Sequence, residues 1–411
     1  MKKNLTLLTT ALAVSLALAG CGESSSASPG PDYNGGTPDN GGGQTPDNFD
    51  QAALVANLVD NVITPTFGEF AARTVSLSEA VSGYCTVVGE AGDVSESLAG
   101  AQGAWRDTMA VWQQAEVMQI GPLKANASQL RNAIHSWPVV NRCAVDQDVV
   151  HFENGSINGT PYDITLRTET RKGLDALDYL LFNPNLDHSC SATTAPAGWN
   201  DRPEAERALA RCQFAVEVAR DLNNNANTLV TEWASYGPLL KAAGQPGSAF
   251  ADIHDAVNDL SDAMFYIDSV TKDGKLDKPL QQFAGACNGA DCDALLESPY
   301  SRHSIDNIEA NLRALKALFA GQLGEQPGTG FDDYLIEVGS EELANQMAAD
   351  IDTALTTSAG YEQSLAATLN DNPDQVQQTH TEVKAITDAM KVDFISALAL
   401  ELPSTSAGDN D

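Results

Sequence analysis

The chain has 411 residues, 56 of them acidic and 23 basic, giving a formal net charge of −33 with histidine neutral. A surface this acidic argues against nucleic acid as a partner, because phosphate binding needs a basic face. The charge could draw in cations, but a total charge is not a site, and it serves solubility equally well.

The first residues, Met1-Lys2-Lys3, precede an apolar stretch from Leu5 to Ala19 that ends in Leu18-Ala19-Gly20-Cys21. Two lysines, a short apolar region and small residues before the cut read as a secretory leader, residues 1–20. The stretch falls short of the roughly 20 apolar residues that a membrane helix needs. It resembles a bacterial lipoprotein signal, which implies lipidation of Cys21 as the first mature residue. Gly22 in place of an aspartate is similar to the pattern that exports such proteins to the outer membrane. Loss of Lys2 and Lys3 with the leader would take the charge from −33 to −35. Residues 21–48, the lipidated cysteine and a linker, are rich in Ser, Gly and Pro-Asp pairs. They predict a flexible tether with a reach of roughly 30 Å. The expected location is the cell envelope, on an outer-membrane lipoprotein facing the periplasm or the cell surface.

About 350 residues remain, more than one ordinary core holds, so two domains are expected. Helical periodicity runs through 51–64, 98–119, 163–182, 203–235, 248–270, 303–320, 339–358 and 374–400, and no alternating strand pattern appears. In the sixth of these, Ile305, Ile308, Leu312, Leu315 and Phe319 form one stripe, with Ser304 as a plausible N-cap and Asp306 in the first turn. An irregular insertion is expected at 143–162, with tight turns at Asn154-Gly155 and Asn158-Gly159. Its acids, Asp146, Asp148 and Glu153, read as a surface loop. Asp273-Gly274 reads as a turn between helices. Gly237-Pro238 and Gly244-Gln-Pro-Gly247 break the periodicity, which sets the expected boundary. The predicted fold is all-α: a first helical bundle over 49–240, a second over 241–402, and a disordered tail over 403–411.

Six cysteines lie beyond Cys21: Cys85, Cys143, Cys190, Cys212, Cys287 and Cys292. An even number in an oxidising compartment predicts disulfides. Cys287–Cys292, Cys190–Cys212 and Cys85–Cys143 make one of the 15 possible connectivities.

Two segments carry the chemistry. On the helix over 98–119, Trp105, Met109, Trp112 and Glu116 share one face, so Glu116 continues an apolar stripe as a carboxylate. It is either a buried acid that needs a partner or an edge residue. On the helix ending at Phe182, Asp175 and Asp178 are neighbours three residues apart, and Arg171 lies four before Asp175. That set is either a carboxylate pair aimed at a ligand or an Arg–Asp cluster that locks the helix.

These segments, Trp105 to Pro122, Ile134-His-Ser-Trp137-Pro138 and Gly173 to Phe182, resemble the imelysin-like family of exported bacterial proteins. Pro299-Tyr-Ser-Arg302-His-Ser304, Asn307 to Arg313 and Phe331 to Asp352 are similar too. The resemblance implies paired helical bundles and a link to iron or other ligand uptake at the envelope, with an outer-membrane uptake partner. The family was once classed with metallopeptidases, but neither His-Glu-x-x-His nor a convincing Ser–His arrangement is present here. The family signature, Gly-x-His-x-x-Glu, stands here as Gly173-x-Asp175-x-x-Asp178. Two aspartates offer hard oxygens, which suit iron or a Ca²⁺/Mn²⁺-type cation, and they need a third ligand. Glu116 is the residue chosen for it, with Arg171, Trp137 and Arg302 as support. The expected function is a lipid-anchored envelope protein that binds a metal ion or small ligand. The alternatives are a scaffold with a degenerate site and, third, a metallopeptidase.

Overall fold

The structure, a computed structural model, describes residues 48–285, 295–324 and 326–407. The leader, Cys21, residues 22–47 of the tether, Cys287, Cys292 and tail residues 408–411 lie outside the described residues. The described chain is all-α apart from one small hairpin.

Asp50 starts the first rod: its side chain accepts the Ala53 amide N–H and caps α1 (Gln51–Asn57). A wide π-type turn, Leu58–Ile63, leads into α2 (Thr64–Gly89), which carries a proline in its first turn, where a missing N–H costs little. α3 (Ser95–Val117) packs beside α2 and buries Trp105, Met109 and Trp112. α4 (Ala125–Ile134) opens with three left-handed residues, Asn126, Ala127 and Ser128, at φ 52, 54 and 59.

Two sequence expectations fail in the next stretch. Residues 142–153, expected to be irregular, form α5 (Arg142–Glu153), because the Asn141 side chain caps it at the Ala144 N–H. Asp146 and Asp148 are buried, not displayed on a loop. The Asn158-Gly159 turn is present, joining the antiparallel β1 (Ser156–Ile157) and β2 (Thr160–Pro161). The helix expected from 163 begins only at α6 (Gly173–Phe182), after two 3₁₀ turns, because Lys172 is extended and Gly173 is left-handed (φ 78).

α7 (Glu204–Lys241) runs 38 residues, a length of ~57 Å. It lies along α2 and also packs on α6. The second half comprises α8 (Ile253–Met264), a π-type segment (Ile267–Asp277), α9 (Lys278–Gly285), α10 (Ser304–Phe319), α11 (Phe331–Glu337), α12 (Glu341–Ala359), α13 (Leu365–Asp371), α14 (Pro373–Ala389) and α15 (Ile395–Leu398). Asp273-Gly274 is therefore helical, not a turn, as the wide π coil absorbs the glycine. An added Cβ at Gly274 would lie 3.1 Å from the Trp137 ring, so a bare backbone is what lets that ring pack. Ser304 is the first residue of α10, and its hydroxyl donates to the Glu297 carbonyl instead of capping. Residues 403–407, expected in the tail, form a turn with Ser406 buried.

The chain passes from one half to the other where α7 ends, at Lys241. The halves are joined across that point by α3 against α10 and α1 against α8. Asn57 adds hydrogen bonds from its amide to the carbonyls of Gly321 and Thr329. The described residues cluster as one compact unit around a continuous apolar core. No helix among the described residues is long and apolar enough to cross a membrane.

The described disulfides are Cys85–Cys212 and Cys143–Cys190, not the pairing expected from sequence. The reason is topological. α2 and α7 lie side by side, which brings their cysteines together, and the loop after α6 folds back over the start of α5. The bridges join residues 127 and 47 positions apart. In the chain-entropy limit such loops contribute up to about 4–5 kcal/mol each. Peptide mapping without reductant should return these two pairs. Reduction should lower the urea midpoint, and the Cys85→Ser/Cys212→Ser variant should reproduce a part of that loss.

Candidate metal centre

Four elements converge on a buried imidazole. Glu116 comes from the last turn of α3. His135 leaves α4 in an extended conformation, followed by Ser136 and the cis Trp137–Pro138 bond. Asp175 comes from the first turn of α6, and Glu297 from the segment before α10. Gly173 sets the α6 position: an added Cβ would sit 2.5 Å from the Ile134 carbonyl oxygen, so only glycine lets α6 abut the end of α4. Trp105 on α3 fixes the same helix by donating its indole N–H to the Leu174 carbonyl at 3.0 Å.

His135 Nδ1 lies 3.1 Å from Glu116 Oε1, and Nε2 lies 3.4 Å from Asp175 Oδ1 and 3.5 Å from Glu297 Oε1. The imidazole and the Glu116 side chain have no solvent exposure. Arg131 Nη2 reaches Glu116 Oε1 at 2.6 Å. Lys275, from the π-type segment, holds Glu297 Oε2 at 3.0 Å and donates to Gln113 and Asn311 at 2.6 and 2.9 Å. Gln113 and Asn307 donate to the two Glu297 oxygens, each at 2.9 Å. Asp175 Oδ2 accepts the backbone N–H groups of Ser136 and Trp137 at 2.7 and 3.0 Å.

Burial sets the protonation balance. Burial alone would raise the Glu116 carboxyl, but His135 and Arg131 outweigh it and hold that group well below the usual carboxylate range. Burial alone would lower His135, but Asp175 and Glu116 outweigh it and raise the imidazole. At Asp175 burial prevails over the His135 charge and the Ser136 amide, and the carboxyl is raised. Asp178 is pushed up to about 6 by burial, against the hydrogen bonds from Ser301 and Tyr300. The imidazole therefore favours the cationic form, as expected of a ring hemmed by carboxylates.

The sequence candidates are divided among separate tasks. Glu116 is buried and, with Asp175, flanks His135. Asp178 turns elsewhere: its two oxygens accept the N–H groups of Tyr300 and Ser301 at 3.2 and 2.9 Å. Arg171 does not pair with Asp175 or Asp178, but bonds Asp148 at 2.8 Å and the Ala144 carbonyl at 3.1 Å, both on α5. Trp137 donates its amide N–H to Asp175, and its ring faces the Lys275 ammonium at 5.9 Å. Arg302 is exposed, with a left-handed backbone (φ 57). Sequence reading missed His135, Glu297, Arg131 and Lys275. His135 sits inside the Ile134–Pro138 motif, the only local signal among the four.

Glu116, His135 and Glu297 each place one ligand atom within 4.8 Å of the others. Glu116 Oε2 and His135 Nε2 are buried without a well-directed hydrogen bond among the described residues, Nε2 standing at ion-pair distance from Asp175 and Glu297 and the Tyr266 hydroxyl facing Glu116. One imidazole with carboxylates is a donor set suited to a borderline or hard transition-metal cation, so these residues fit such an ion. Breaking this network from one side should be costly. Glu116→Ala strands Arg131 and His135, and should lose about 3–5 kcal/mol in urea denaturation at neutral pH. Because the folded Glu116 carboxyl is depressed, its contribution is complete above the ordinary carboxylate pKa. The gap between wild type and Glu116→Gln should therefore be full at neutral pH and shrink on acidification.

None of the curated proteins matches the chain. Solved structures share its fold, two of them over most of both chains. One is a protein from Parabacteroides distasonis ATCC 8503, described provisionally as an iron-regulated protein A precursor. It is 18% identical, with a TM-score of 0.67, over 85% of this chain and 95% of that one. The other is an imelysin-like protein from Psychrobacter arcticum 273-4, 15% identical, with a TM-score of 0.63, over 86% and 96%. The Imelysin (Peptidase M75) family model matches residues 63–392, so the chain belongs to the imelysin family.

Proposed function

We propose that this protein is a lipid-anchored binding protein of the cell envelope that holds a metal cation in an iron-related role. The observation that carries the reading is the buried imidazole of His135 with Glu116 and Glu297 close around it, the three residues offering ligand atoms within 4.8 Å of one another. Glu116, His135 and Glu297 would hold the ion, with Asp175 beside the ring. Bound metal would supply positive charge that the carboxylates now draw from His135, Arg131 and Lys275. The description of the Parabacteroides relative as iron-regulated supports the iron-related part. The Leu-Ala-Gly-Cys21 leader supports the anchor, and with it an outer-membrane partner to which a ligand is passed.

A second reading is a scaffold that keeps the same network only to fix its two halves. Lys275 favours it, since the ammonium already satisfies Glu297 at 3.0 Å. Calorimetric titration of the disulfide-intact, metal-free protein with Fe²⁺, Fe³⁺ and Mn²⁺ separates the two. The binding reading expects one saturable site per chain, weakened at least ~10-fold in His135→Ala, in the range seen when metal-site residues are lost. It also expects affinity to rise with pH, because the metal competes with the proton that the carboxylates stabilise on His135. No heat above dilution for any of the three ions leaves the scaffold reading in place.

A further inference from the structure

In a chain with 56 acids and 23 bases, cations find carboxylates easily. Most described lysines and arginines do have one within 4.0 Å, including Arg131, Arg167, Arg171, Arg207 and Arg211. Arg106, Arg142, Arg302 and Lys278 have none among the described residues. Of these, Arg142 and Arg302 border one short segment, Tyr300–His303, and Arg106 stands near enough to act on the charge of Asp306, three residues beyond it. The Arg142 guanidinium lies 4.9 Å from the centre of the Tyr300 ring. Arg106 lies 4.8 Å over the Phe182 ring, Phe182 packs on Trp105, and Trp105 lies 6.0 Å from the His303 ring. Arg302 belongs to the segment and is exposed.

The acids nearest this segment are already engaged. Asp178 accepts from the Tyr300 and Ser301 amides. Asp146 is held by Tyr179, Ser189 and Arg211. Asp306 pairs with His303 Nδ1 at 3.1 Å and also feels the Arg106 charge. The remaining ring nitrogen, His303 Nε2, is buried and lacks a partner among the described residues. The segment also opens the 16-residue helix α10, whose first turn adds a positive field.

From this juxtaposition we infer a second site, for a small soluble oxyanion bearing several carboxylate or phosphate groups, held by Arg142 and Arg302 around Tyr300–His303, with Arg106 adding positive charge nearby. Guanidinium groups lying on aromatic rings keep their N–H edges pointing outward. That planar fork matches a carboxylate or a phosphate in a two-point contact. The anion site does not depend on the metal reading, and it survives if that reading fails.

The test is isothermal titration of the metal-free, disulfide-intact protein with citrate and with inorganic phosphate, at matched ionic strength with chloride as the reference. Saturable binding of either probe is expected, weakened about tenfold or more, roughly 1.4 kcal/mol, in Arg142→Gln/Arg302→Gln. Lys278→Gln, which removes a cation elsewhere on the surface, should leave the affinity unchanged. Thermal melts of both variants should match wild type. Heats equal to chloride for both probes would overturn the inference, as would binding indifferent to the arginine pair. Sedimentation with anionic phosphatidylglycerol vesicles closes the remaining case: binding to vesicles without binding to either soluble anion would also overturn it.

Discussion

The arrangement of this molecule depends on one buried contact set, the imidazole of His135 enclosed by Glu116, Asp175 and Glu297. Three carboxylates cannot share a dry interior without positive charge among them. Arg131 and His135, from the end of α4, and Lys275, from the π-type segment, supply it. Glu116 and Asp175 come from the first half, Glu297 and Lys275 from the second. Each half brings as many cations as acids, and the contacts of His135 and Gln113 with Glu297 and of Lys275 with Gln113 join the two sets across the chain.

The backbone is bent to serve that centre. α4 begins with three left-handed residues, each of which costs about 1–2 kcal/mol. α6 begins at a left-handed glycine so that it can abut the end of α4. The Ile267–Asp277 segment is wound wider than an α-helix, as is often seen where a helix serves a function. On that coil Lys275 faces Glu297, while Lys272 pairs with Asp268 on another side.

Much of the fold was legible from periodicity. The stripe Trp105, Met109, Trp112 and Glu116 is buried as a unit, and the Ile305 to Phe319 stripe lies in α10. The burial of Glu116 followed from its place on that stripe. What was not legible depends on long-range pairing. The neighbours of Cys85 and Cys212 are set by α2 lying along α7, a relation with no local signature. Arg171 looked like the partner of Asp175 because helical spacing was assumed to run through residue 171, whereas Lys172 and Gly173 break it. Glu297 and Lys275 reach the centre from segments far along the chain from Glu116, beyond any spacing rule. Asp146 and Asp148 read as surface acids because nothing nearby in sequence announces Arg211, Arg167 and Arg171 as their partners.

Both described disulfides lie before residue 213, within the half that contains α2, α5 and α7. The elements that deliver Lys275 and Glu297 carry no such bridge among the described residues. The bridges tie α2 to α7 and the start of α5 to the loop after α6, and α7 in turn packs on α6, which carries Asp175. Their bearing on the centre is therefore indirect: they brace the frame on which α6 rests, while His135 and the carboxylates around it are held by charge and packing.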